Sequence, residues 1–132
     1  VIILDTQALV WLLFDDRRLG KKTHHAIAQA WAANEAAVSA ITFWDVARLH
    51  DKGRLTILLD IGTWRESLLA EGLIEIPVNG AIGIRAASLS LFHGDPADRL
   101  IVATALEGHR LITADERILA WPGNLDRLRA TE

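Results

Sequence analysis

The chain has 132 residues, 51% of them apolar, with no cysteine and a formal net charge of −3. That length and apolar content predict one domain with a substantial core and exclude a disordered segment. The lack of cysteine excludes disulfides and thiolate metal sites, and charge interrupts every apolar run before membrane-spanning length.

Short apolar runs alternate with longer amphipathic ones, the order expected of an α/β fold with a parallel sheet. A strand over residues 1–4 stops at Asp5, and a helix over 6–14 follows. This helix is apolar nearly all round, as in helices buried on several sides or completed by another chain. Arg17 and Arg18 lie in the turn before a helix over 21–33, which opens with Lys21 and Lys22. A strand over 37–39 leads to a helix over 43–52, with Thr42 as its N-cap and Gly53 just past its end. A helix over 61–71 and a strand over 73–76 flank Gly72. A helix over 81–89 precedes one over 96–107, capped by Asp95, opened by Pro96 and ended by Gly108. A strand over 110–113, a short turn over 116–120 and a last strand within 124–129 complete the pattern. No repeat or linker divides residues 1–132, and no charged start with an apolar core and cleavage site marks a secretory leader.

Four acids stand at strand ends or helix starts: Asp5, Asp45, Asp98 and Asp115. Each has a structural reading by itself. Asp5 can cap the helix from Thr6, and Asp45 sits in the capping-box position after Thr42. Asp98 lies in a first turn where the helix dipole favours an acid, and Asp115 competes with a Thr113–Glu116 box as a cap. Together they read differently. A parallel sheet gathers such residues at the carboxyl ends of its strands, where ligands bind. Two carboxylates about 4 Å apart at an effective dielectric of about 20 repel by about 4 kcal/mol, so a cation between them is expected. Oxygen ligands select Mg²⁺ or Mn²⁺.

The remaining signals are weaker. His24, His25, His50, His93 and His109 have no mutual ligand spacing and read as solvated or capping residues. No Gly-rich phosphate loop or nucleophile elbow is present. The negative charge does not advertise nucleic-acid binding; however, setting four of the seventeen acids aside leaves thirteen against fourteen basic residues. Arg17, Arg18, Lys21, Lys22 and Arg48 read as solvated or locally paired residues, or alternatively as guides for a phosphate backbone. Arg99 reads equally as a brace for neighbouring carboxylates and as a substrate contact.

The motifs Leu4-Asp5-Thr6, Ser39-Ala40-Ile41-Thr42-Phe43-Trp44-Asp45-Val46-Ala47 and Lys52-Gly53-Arg54-Leu55 resemble those of PIN-domain proteins. So do Asp95-Pro96-Ala97-Asp98-Arg99-Leu100-Ile101-Val102-Ala103-Thr104-Ala105 and Leu111-Ile112-Thr113-Ala114-Asp115-Glu116-Arg117-Ile118. The resemblance is to the VapC-like toxins of toxin–antitoxin pairs and covers nearly the whole chain. It implies a three-layer α/β/α sandwich with a central, mainly parallel sheet of four to five strands. It also implies a cytoplasmic, homodimeric endoribonuclease that uses Mg²⁺ or Mn²⁺ and is inhibited by a cognate antitoxin. Asp5, Asp98 and Asp115 match the family's metal-binding acids, Thr113 a supporting hydroxyl, and Thr6 a further support. Asp45 stands where the family normally has Glu, one methylene longer. That departure makes a weakened or non-cutting module that binds RNA or antitoxin the alternative. A phospho-acceptor receiver or a haloacid-dehalogenase-like phosphatase is set aside, because Gln7 stands where a second acid belongs and no lysine follows Lys52.

Overall fold

The computed structural model describes residues 1–132. Strands and helices alternate along the chain: β1 (Ile2–Leu4), α1 (Thr6–Leu13), α2 (Lys21–Ala32), β2 (Ala36–Ser39), α3 (Ile41–Asp51) and α4 (Ile61–Ala70) come first. Then follow β3 (Ile74–Ile76), α5 (Gly80–Ala87), α6 (Pro96–Ala105), β4 (Arg110–Thr113), α7 (Glu116–Leu119) and β5 (Arg127–Arg129). The five strands form one sheet in the order β3-β2-β1-β4-β5, with every pairing parallel. The chain first builds outward from β1 through β2 to β3, then crosses back to place β4 on the other side of β1. The switch point therefore lies between β1 and β4.

Successive strand residues point to opposite faces, and both faces are covered. Leu4, Val38, Ile112 and Leu128 pack with Leu9, Trp11, Ile27, Phe43, Val46, Trp64 and Leu68 of α1–α4. Their immediate neighbours Ile3, Ala37 and Leu111 pack on the other side with Ile101, Val102 and Ala105 of α6, Ile118 of α7 and Trp121. Burial on both faces explains why the central segments of β1, β2 and β4 read as apolar runs, whereas the edge strands β3 and β5 carry Glu75, Arg127 and Arg129. Phe43 and Trp64 meet edge-on with centroids 6.0 Å apart in the first layer. Trp44 instead is exposed beneath the Arg48 guanidinium, 4.7 Å from its ring centre. The arrangement is the α/β/α sandwich expected of the sequence, with the sheet wholly parallel.

Helix ends follow local chemistry. Asp5, Asp60, Asn79, Asp95 and Asp115 each accept a backbone N–H as N-caps. Gly72 and Gly108 take φ of 105° and 95°, values that side chains rarely adopt, and end α4 and α6 as expected. One expectation fails. Thr42 is not an N-cap: α3 starts at Ile41, and its cap position, Ala40, already has helical angles of −53° and −30°. β2 runs into α3 almost without a loop, so the Thr42 hydroxyl is drawn into the buried interior toward Thr6. Asp45 therefore lies beyond the first turn and is no capping-box acid. The Thr113–Glu116 box does not form either, because Asp115 caps α7 through the Arg117 N–H at 2.8 Å.

Candidate active site

A cleft of about 440 Å³ opens at the carboxyl ends of β1 and β4 and beside α3 and α6. Asp5, Asp45, Asp95, Asp98 and Asp115 line it together with Thr6, Gln7 and Trp11, and Arg18, Arg48 and Arg117 stand around them.

Asp5 ends β1 and is only 5% exposed. Its Oδ1 accepts the Ala8 N–H at 2.7 Å, and its Oδ2 accepts the Thr113 hydroxyl at 2.6 Å and the Ala114 N–H at 3.3 Å. A carboxylate offers about four acceptor sites, so one remains, on Oδ1. Burial, aided by the nearby Asp98 charge, outweighs these donors and pushes the Asp5 carboxyl up to about 6. Thr113 is buried in turn, and its oxygen accepts the Asp115 N–H at 3.0 Å. One hydroxyl thus ties the ends of β1 and β4 to the start of α7. Thr113→Val keeps the shape but leaves the Asp5 carboxylate and the Asp115 N–H short of a partner. Urea unfolding at pH 7.5 without metal is expected to show a loss of about 2 kcal/mol.

Asp98, in the first turn of α6, accepts from His93 Nε2 at 2.8 Å and lies 3.6 Å from the Arg117 guanidinium. Burial is the main reason that its carboxyl also rises, with Asp95 and Asp115 adding to the effect. Asp115 binds the same guanidinium at 3.1 Å. Burial would raise it too, but the Arg117 bonds prevail and hold it below the usual carboxylate range. Donor atoms of His93, Asp98 and Asp115 all fall within 4.8 Å of one another. Asp45 uses Oδ2 on the Thr6 hydroxyl at 3.0 Å and Oδ1 on Arg48 at 3.0 Å. Thr6 also exchanges a hydrogen bond with Thr42 at 3.2 Å.

Arg18 and Arg48 reach the cleft, whereas Arg17, Lys21 and Lys22 are exposed outside its lining. Arg18 pairs with Asp16 at 2.7 Å and lies over the Trp11 ring at 4.9 Å. Arg99 neither braces a carboxylate nor faces the cleft. It binds the backbone carbonyls of Ala86, Leu89, Phe92 and His93.

A family model described as PIN domain matches residues 2–123. The chain belongs to the PIN-domain family. This PIN domain is 35% identical over 119 residues to "Ribonuclease VapC22" of Mycobacterium tuberculosis, covering 89% of this chain and 88% of that protein. Among solved structures it is similar to a chain of a toxin–antitoxin complex from Klebsiella pneumoniae, at 20% identity, 98% coverage of both chains and a TM-score of 0.65. It is also similar to a chain of VapBC2 from Rickettsia felis bound to a promoter DNA fragment, at 16% identity, 96% coverage of both and a TM-score of 0.70. At those identities the structural matches establish the fold.

The donor set of this PIN domain fits a divalent cation. Two carboxylates and an imidazole converge, and Asp5 lines the same cleft with its carboxyl raised chiefly by burial, so its ionised form gains from a nearby cation. The sign of the pH effect follows. The folded Asp5 holds its proton up to about pH 6, whereas in the unfolded chain it releases the proton near 3.8. Between those values the native state binds more protons, so rising pH removes stability, by about 3 kcal/mol across the window. Metal-free Asp5→Asn is therefore expected to gain about that much relative to the parent between pH 3.8 and 7. Paired denaturation curves at the two ends of this range check it.

Three residues of the site escape the sequence reading. His93 reads as a solvated turn residue but contacts Asp98; its place five residues ahead of that acid was the available signal. Arg117 stands two residues after Asp115, within the stretch from Leu111 to Ile118, and bridges two acids. Trp11 lines the cleft with its indole Nε1 buried and without a hydrogen-bond partner, which no helical periodicity reports.

Proposed function

We propose that this PIN domain is the toxin of a toxin–antitoxin pair and hydrolyses RNA phosphodiesters with Mg²⁺ or Mn²⁺. The ion is assigned to Asp5, Asp98 and Asp115, with Asp45 as the fourth acid; the toxin acts as a cytoplasmic homodimer until its antitoxin covers it. The observation that carries the reading is the convergence of four acids from both halves of the chain in one cleft at a parallel-sheet switch point. Such a cluster calls for counter-charge, of which Arg48 and Arg117 supply part, and the buried Asp5 has no cationic partner among them. The similarity to a ribonuclease named VapC22 and to chains from toxin–antitoxin complexes supports the same reading.

A bound cation would lower the pKa of an attacking water and stabilise charge on the leaving oxygen. The residues of the chain do the rest. Thr113 orients Asp5, His93 holds Asp98, and Thr6 holds Asp45. Arg18, Arg48 and Arg117 give the acidic cleft a cationic rim suited to phosphates.

Purified, antitoxin-free protein is expected to cut a panel of structured RNAs with Mn²⁺ or Mg²⁺ and to be silent in EDTA. Asp45→Glu extends the acid by one methylene and is expected to raise the cleavage rate about tenfold, since ångström-scale misplacement costs up to about a hundredfold. A second reading is favoured by one feature: both oxygens of Asp45 are engaged by Thr6 and Arg48. In that reading the domain binds RNA or antitoxin and cuts poorly. RNA binding without cleavage in both parent and Asp45→Glu would decide for it.

A further inference from the structure

We propose that His93 is a nitrogen ligand of the active-site cation, so that the site favours first-row transition ions such as Mn²⁺ over Mg²⁺. The inference rests on the metal-site reading above and goes beyond its oxygen-only donor set.

Distance is the first argument. Neighbouring donors around one six-coordinate ion with bonds of about 2.1 Å lie about 3 Å apart, and opposite donors about 4.2 Å. His93 Nε2 is 2.8 Å from Asp98 Oδ2, and the donor atoms of His93, Asp98 and Asp115 lie within 4.8 Å of one another. An ion held by all three takes the place of the Arg117 guanidinium, which lies 3.1 Å from Asp115 and 3.6 Å from Asp98, and draws the donors slightly inward. Asp5 gives three of its acceptor sites to the protein and keeps one, on Oδ1, so a nitrogen ligand adds to a short oxygen set.

Preorganisation is the second. The imidazole stacks on Phe92 with centroids 4.4 Å apart and planes at 23°. Phe92 is itself fixed edge-on against Trp121 at 5.7 Å. Arg99 binds the carbonyls of His93 at 2.8 Å and of Phe92 at 2.7 Å, anchoring the backbone that carries the ring. A solvated turn histidine needs none of this, whereas a ligand does, because looseness is the usual failure of a metal site.

Chemistry supplies the preference. Mg²⁺ holds its waters tightly and takes oxygen, whereas imidazole nitrogen suits transition ions. An imidazole in the donor set therefore shifts selectivity away from Mg²⁺.

His93→Gln separates ligation from simple bracing, since the amide still donates to Asp98 but offers the ion no imidazole. The full-length protein loaded with Mn²⁺ is expected to show imidazole-nitrogen coupling in pulsed EPR, and the variant none. Titration should show Mn²⁺ affinity falling about tenfold in the variant, within the range for lost metal-site contacts, with Mg²⁺ affinity nearly unchanged. Mn²⁺ bound without nitrogen coupling, or equal loss for both ions, overturns the inference. If such an oxygen-ligated protein still cuts RNA, the proposed function survives alone. If the parent binds neither ion, both readings fall.

Discussion

Asp98→Asn is expected to lower metal-dependent RNA cleavage at least about a thousandfold while leaving the folded protein as stable as before or slightly more so. The two effects have one cause. Asp98 occupies the first turn of α6, within reach of His93 and Arg117, and burial holds its carboxyl above the ordinary range. The ionised form is thus costly until a cation arrives, and a neutral amide of the same shape removes that cost. The local structure does not need the charge: the Asp98 N–H donates to Asp95 at 3.1 Å, and that bond survives the substitution. Function does need it, because a carboxylate that anchors the cation contributes several kcal/mol to the transition state, and about 4 kcal/mol corresponds to a thousandfold. Single-turnover cleavage with Mn²⁺ and thermal unfolding in EDTA check both halves. Cleavage at the parental rate would remove Asp98 from the site; a collapse in melting temperature would make its role structural.

The second large effect is on stability. Arg99→Leu is expected to cost about 3 kcal/mol, close to 10 °C in melting temperature for a chain of this size. Its guanidinium donates to Ala86 at 2.9 Å, Phe92 at 2.7 Å and His93 at 2.8 Å, with a longer contact to Leu89 at 3.4 Å. One side chain thereby collects the carbonyls at the end of α5 and along the loop leading to α6. Leucine leaves them without donors, and such losses are not additive, so the total stays below the sum of four charged bonds. Arg99→Lys keeps the charge but loses the planar fork, and more than half of the penalty should remain. Differential scanning calorimetry of the two variants gives the comparison. Because the same loop carries His93, both variants should also weaken Mn²⁺ binding. Unchanged melting in Arg99→Leu would show that the loop is held by packing alone.

Much of the architecture was legible because the determinants are local. A strand buried on both faces must be continuously apolar, as Ile2-Ile3-Leu4 and Leu111-Ile112 are, and helices announce themselves through caps such as Asp95 and terminators such as Gly72 and Gly108. The sequence misjudged the start of α3, where Thr42 has the chemistry of a cap. Its hydroxyl met a better, buried partner in Thr6, thirty-six residues away in sequence. Arg99 was misread for the same reason: its partners are backbone carbonyls of a loop, and carbonyls carry no residue-specific signature.

By itself the sequence determined the alternation of elements, the apolar central strand segments and the four acids at strand ends or near helix starts, since each depends on periodicity or on neighbours within a turn. The tertiary structure decided which acids are buried and what each one touches. Placing β4 beside β1 puts Thr113 against Asp5, 108 residues apart, and this contact exists only because the crossover returns to the opposite side of the first strand. The same return gathers Asp98, Asp115 and Arg117, and the loop braced by Arg99 turns His93 toward them. Spacing along a chain reports which face a residue occupies, but charge, desolvation and metal affinity depend on distances across the sheet, and those are set only when the strands choose their order.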